Sequence, residues 1–174
     1  MAPAMKSVEN VPRWRLMEAI DLASVSTVAA EVHPDFPEDD AVFSNRFSLH
    51  GQGAYVFENG ATTLGYAITH PWKSFDIPPL NTVLVALPEW SDNYYIHDIA
   101  LVNAARGSGA ASEIVQTVID HARQLGCQTI SLVAVNGSSI FWHRHGFETV
   151  DRPELVEKLA TYSDDACFML LQLR

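Results

Sequence analysis

The stretch Asp98–Ala122, "DIALVNAARGSGAASEIVQTVIDHA", constrains the fold of this chain more than any other. It opens as an apolar run, turns through Arg106-Gly107-Ser108-Gly109, and continues with Ile114, Val115, Val118, Ile119, Ala122 and Leu125 at helical spacing until Gly126 stops it. A strand that passes through glycines into a helix offers free backbone N–H groups and the positive end of the helix dipole at the turn, which together favour an anion. Three phosphate-binding designs place glycines there. A nucleotide P-loop needs Gly-Lys-Ser/Thr after its glycines, and neither follows Gly109. A dinucleotide turn needs a third glycine and an acidic residue after the next strand, where this chain has Ser112 and Asn136.

The flanking pattern predicts a mixed α/β architecture. Arg13–Ile20 reads as a first strand, followed by a helix through Val32 with Asp21 as its N-cap. After the acidic, proline-containing loop "HPDFPEDD", Asp39 or Asp40 caps a second helix that ends at Gly51. "AYVFEN" and "TTLGYAITH" form a hairpin about Asn59-Gly60. An excursion of roughly twenty residues, "PWKSFDIPPLNTVLVALPEWSDN", follows and is too long for a plain connection. "YYIHDIALV" is the next strand, then come the glycine turn and its helix, the strand "TISLVAV", a short helix "SSIFWHRH" closed by Gly146, and a last strand "CFMLLQLR". Strands in series early and a strand-helix-strand-helix unit late imply a mixed central sheet flanked by helices. Residues 1–10 are expected to form a tail and 11–174 a single domain, a size that buries a core without staples.

Composition removes several function classes. A formal charge of -10 opposes any nucleic acid partner, because phosphates are neutralised by clustered Lys and Arg. Cys127 and Cys167 lie in apolar segments without Cys-x-x-Cys spacing, which argues against a zinc site or a disulfide framework and for a cytoplasmic protein. His143 and His145, two apart on a helix, point away from each other, so no metal is expected. No stretch approaches the roughly 18 apolar residues that span a bilayer, so no membrane partner is expected.

Two motifs taken together carry a resemblance. Arg106-Gly107-Ser108-Gly109-Ala110-Ala111, and one strand later Asn136–Phe147, "NGSSIFWHRHGF", resemble the paired motifs of the GCN5-related N-acetyltransferase (GNAT) superfamily. The resemblance implies a sheet splayed between the fourth and fifth strands and transfer of an acetyl group from acetyl-CoA to a primary amine, on a small molecule or a peptide N-terminus, by direct attack. It implies that Arg106, Gly107, Ser108, Gly109, Ala110 and Ala111 hold the pyrophosphate. It further implies that pantetheine runs past Leu101, Val102, Asn136, Phe141 and Trp142, with the Leu101 N–H polarising the thioester carbonyl.

Members resembling the serotonin acetyltransferases carry histidine bases at the positions of Tyr95 and His97, which makes these two the candidate catalytic side chains. Two-residue alternation would put Tyr95, His97, Ile99 and Leu101 on one face, with Asp98 on the other in a structural role. Trp142 stands where many members have a tyrosine that protonates the leaving sulfur. Indole cannot release a proton at ordinary pH, which leaves Tyr94 or Tyr95 as substitutes, or a non-catalytic acyl-CoA-binding domain as the rival reading. Glu38-Asp39-Asp40 either attracts a cationic acceptor or caps the second helix. Phe75–Trp90 forms either a wall of the acceptor site or the contact of a homodimer, and Trp72, Trp90 and Phe141 are candidate pocket aromatics.

Overall fold

The computed structural model describes residues 10–174; the expected tail therefore lies, but for its last residue, outside the described residues. One seven-stranded sheet organises the chain, with strands in the order β1-β2-β3-β4-β5-β7-β6. The elements in chain order are β1 (Arg13–Leu16), α1 (Leu22–Val32), α2 (Asp40–His50), β2 (Ala54–Asn59), β3 (Thr62–Pro71), β4 (Asn93–Leu101), α3 (Ala110–Gln124), β5 (Thr129–Ala134), α4 (Ser139–Arg144), β6 (Glu148–Thr149), α5 (Val156–Ala160) and β7 (Cys167–Gln172). Every neighbouring pair is antiparallel except β4 and β5, which run parallel.

Side-chain periodicity assigns the helices to the faces. Ile114, Val115 and Val118 of α3 are fully buried against Tyr94, Ile96 and Ile130 of the sheet, together with Trp142 and Phe147. Burying one such aliphatic side chain stabilises the fold by about 1.5–3 kcal/mol. On the opposite face Val25 and Val28 of α1 and Phe43 of α2 pack against Val56, Tyr66 and Ile68. A smaller cluster beside them joins Ile77 and Leu155 to Phe168 and Leu170 of β7. Leu125, expected on the apolar face of α3, instead follows the last helical residue and is 44% exposed.

Three local expectations are corrected. β1 ends at Leu16 because Asp21 folds the chain back: its carboxylate accepts the Glu18 N–H at 2.8 Å and pairs with Arg15 at 2.7 Å. Asp21 thus closes a tight turn over Ala19–Asp21 and makes no side-chain bond to the start of α1. The hairpin loop is Gly60-Ala61, one residue later than expected, since Asn59 still pairs with Thr62.

The sheet parts where the sequence suggested. β4 pairs with β5 only from Asn93–Ile96 to Thr129–Leu132, although β4 continues to Leu101 and β5 to Ala134. The register of β4 against β3 also slips at this point: Ile96 faces Thr69 and Asp98 faces Ile68, which leaves His97 as an extra residue in a β-bulge.

Candidate active site

The bulge overturns the expected side-chain alternation. Tyr94 and Ile96 face α3, and beyond the bulge so does Ile99, while Leu101 packs with Phe57 and Ala110 on that same face. His97 and Asp98 both face α1 and α2, since an inserted residue puts two successive side chains on one side. Ile99 and Leu101 therefore do not share a face with His97, and Asp98 does.

Two imidazole–carboxylate pairs result. His97 Nε2 lies 2.7 Å from Glu38 Oε1, with side chains only 5% and 8% exposed. His33, at the end of α1, places Nε2 2.9 Å from Asp98 Oδ1, and the Tyr66 hydroxyl donates to the other oxygen of Asp98. Burial opposes the charge on His33, but the Asp98 carboxylate outweighs it and leaves the ring above its ordinary imidazole value. Burial likewise opposes the Asp98 charge, and the hydrogen bonds from His33 and Tyr66 nevertheless hold that carboxyl below the usual range. All four side chains line one cleft of about 490 Å³ at the parting of the sheet. An Nε2–H donated to the Glu38 carboxylate leaves the lone pair of His97 on Nδ1, which has no protein partner among the described residues.

The glycine turn opens onto the same cleft through Arg106 and Ala111. Gly107 (φ 76°) and Gly109 (φ 85°) adopt left-handed conformations, and an added Cβ at either would meet open space. Backbone conformation and room for a ligand, not crowding by the protein, are what select glycine there. Ser108 Oγ donates to the Ala105 carbonyl at 2.7 Å and accepts the Ala110 N–H at 3.3 Å, which pins the turn. The next N–H groups of α3 have no intrahelical acceptor, and the side chain of the exposed Arg106 hydrogen-bonds only the Leu101 carbonyl, at 3.4 Å, among the described residues. This donor set fits a pyrophosphate.

Val102 donates its N–H to Leu64 of β3, so strand alternation turns the N–H and C=O of Leu101 away from β3 and toward the gap. Leu101, Asn136, Phe141 and Trp142 line the cleft; Val102, Gly107, Ser108, Gly109 and Ala110 adjoin it in the chain. Trp142 is 8% exposed and packs edge-on against Phe141 and Phe147.

Neither tyrosine considered as a substitute for the missing one reaches the cleft wall. The Tyr94 hydroxyl is buried between Thr69 and His50. Tyr95 is buried behind the cleft, its phenol held far above the ordinary range by that burial. The tyrosine that does line the cleft is Tyr162, from the loop after α5, whose hydroxyl donates to the Pro78 carbonyl at 2.7 Å. Nothing in the surrounding "ATYSDD" marks it in sequence, and His33 is equally unmarked. Trp90 is 77% exposed and Trp72 meets His70 edge-on, so of the three candidate aromatics only Phe141 lines the cleft. Leu80 brings the Phe75–Trp90 segment to the cleft wall. His143 and His145 make separate contacts, to the Phe147 carbonyl and to Ser112. Among the described residues no helix is long and apolar enough to cross a membrane, and no cluster of metal-ligating side chains is present.

A mixed sheet parted between two parallel strands, with a glycine turn and a helix N-terminus at the mouth of the gap, defines the acetyltransferase class of fold. The family model described as "Acetyltransferase (GNAT) family" matches residues 16–147, and the chain belongs to that family. Solved structures share the architecture. The loading GNATL domain of CurA from Lyngbya majuscula superposes with a TM-score of 0.75 at 13% identity, over 94% of this chain and 98% of that one. The ribosomal-protein-S18-alanine N-acetyltransferase from Escherichia coli gives 0.64 at 18%, over 94% of each. Rv2747 from Mycobacterium tuberculosis, in complex with CoA and NLQ, gives 0.64 at 17%, over 93% and 99%. No curated protein matches the chain in sequence.

Proposed function

We propose that the protein transfers an acetyl group from acetyl-CoA to a primary amine by direct attack, with His97 as the general base. The observation that carries this reading is the Glu38–His97 pair inside the cleft, where the carboxylate orients the ring and leaves Nδ1 to take a proton. Acetyl-CoA supplies the acetyl group as a thioester. The Arg106–Ala111 turn holds its pyrophosphate through backbone N–H groups and the Arg106 cation, and the edge of β4 beyond the bulge carries the pantetheine arm.

An acceptor amine arrives mostly as ammonium, and only its neutral form is a nucleophile. His97 Nδ1 accepts the proton, and Glu38 stabilises the imidazolium that forms, as a carboxylate does for the histidine of a hydrolytic triad; the neutral amine then attacks the thioester carbon, the C–S bond breaks, and the departing CoA thiolate takes up the proton that the nitrogen sheds. The Leu101 N–H, turned into the gap, bonds the carbonyl oxygen as its negative charge grows. Names such as that of the Escherichia coli enzyme accord with an amine acceptor. The test is release of CoA from acetyl-CoA against a panel of primary amines: turnover that His97→Ala lowers about a hundredfold or more supports the reading. Binding of acetyl-CoA with no turnover of any amine would make the chain an acyl-CoA-binding protein instead.

A further inference from the structure

The segment after β3 behaves as a strap across the parted sheet. Its first half is anchored beside β7: Ile77 is buried with Leu155 and Phe168, and the Pro78 carbonyl accepts from Tyr162. Asp76 pairs with Lys158 of α5, and the Arg152 guanidinium lies 3.5 Å over the Phe75 ring. Its second half is anchored on α2 and the loop before it. Arg46, itself 1% exposed, donates to the Thr82 carbonyl at 2.9 Å, and Asn45 exchanges two hydrogen bonds with Leu84, at 2.9 and 3.0 Å. Asn81 receives the Asp39 N–H at 2.7 Å and gives its own N–H to Glu38 Oε2 at 3.3 Å. Between Asp76 and Leu84 the chain thus crosses from the β7 side to the α2 side, over β5 and β4, on the face that carries His97.

The strap is also stiff and unfit to pair. Pro78 and Pro79 fix two φ angles and remove two N–H groups, and the carbonyl of Pro78 is already taken. An extended peptide could not add to it as a strand, which is the usual way a polypeptide gains main-chain bonds in a groove. The strap, the end of α1 and the loop after it bring the apolar side chains of Leu80, Val32 and Phe36 to the cleft wall, beside the polar His33 and Tyr162.

We infer that the acceptor is a small primary amine with an apolar body, held whole between the strap and α1, and not the N-terminus of a polypeptide. This rests on the amine acetyltransferase reading. The ammonium enters toward Glu38 and Asp98, the body lies on Val32, Phe36 and Leu80, and a chain continuing from the amine would run into the strap.

The experiment compares kcat/KM of the intact protein for phenethylamine and phenylalanine amide with that for pentapeptides beginning in phenylalanine. The small amines are expected to exceed the peptides by about tenfold or more. In the Asp76→Ala, Ile77→Ala variant, which releases the strap at β7, the gap should narrow while acetyl-CoA affinity holds; the wild-type comparison stands alone should that variant not fold. Peptides used as well as the small amines, or a gap unmoved in a folded variant, overturn the inference and leave acetyltransfer to amines intact. No turnover of either class by protein that binds acetyl-CoA overturns both.

Discussion

A single carboxylate joins His97 to the strap: Glu38 Oε1 lies 2.7 Å from His97 Nε2, while Glu38 Oε2 accepts the N–H of Asn81 at 3.3 Å. The acidic run before α2, ambiguous in sequence between attracting a cation and capping a helix, supplies no side-chain cap and instead sends one carboxylate to the cleft. Asp39, the residue before α2, makes no side-chain cap, and Glu38 points inward at His97.

Removing the orienting charge should separate from removing the base. Glu38→Gln is expected to lower kcat by about 10–100-fold, in the range seen when a partner that orients a histidine is lost. His97→Ala should cost about 10²–10⁴-fold, most severely at low pH, where few acceptor amines are already neutral. Pre-steady-state and steady-state pH–rate profiles check this. An unchanged profile in His97→Ala would assign the ring a structural role.

The turn at the mouth of the cleft should respond to a bulky anion. Acetyl-CoA at a hundred times its Kd is expected to stabilise the wild type by about 2.7 kcal/mol. Gly109→Glu should abolish the melting shift, because the new carboxylate fills the open space beside a φ of 85°. A retained shift would move the pyrophosphate elsewhere.

Trp142 should prove a wall rather than an acid. Packed against Phe141 and Phe147, it shapes the channel, and Trp142→Phe is expected to keep a substantial share of kcat. Loss of a true general acid costs about a hundredfold or more. A fall of that size with acetyl-CoA affinity unchanged would place the indole N–H in the chemistry.

The second pair makes stability depend on pH. Because the folded His33 binds its proton more tightly than the unfolded one, its contribution is fully present below about pH 6.5 and is lost as pH rises through the folded value. Asp98 shifts the other way, so its contribution is present above about pH 4 and is lost as pH falls through its folded value. Urea denaturation of His33→Gln against wild type should therefore show a gap that is widest between those limits and shrinks toward pH 8. A gap that does not vary with pH would mean that the pair is not an ion pair in the folded protein.

What the sequence determined is what local physics encodes. The helical spacing from Ile114 to Ala122 located α3, and the glycines of Arg106–Ala111, needed for positive φ, located the turn before it. The paired motifs at Arg106 and Asn136 were enough to expect the parted sheet and its family. Only the tertiary structure decided which groups meet inside the gap. One inserted residue at His97 reversed the faces of Ile99 and Leu101 and brought Asp98 to the site, because a strand's two-residue period cannot report a bulge that exists only in its pairing with β3. His33 meets Asp98 across 65 residues, Glu38 meets His97 across 59, and Tyr162 reaches Pro78 across 84. Such partners share no local pattern. They are brought together by the packing of α1, α2 and the strap on one face of the sheet, a burial of apolar surface that carries no mark of which polar side chains it will enclose.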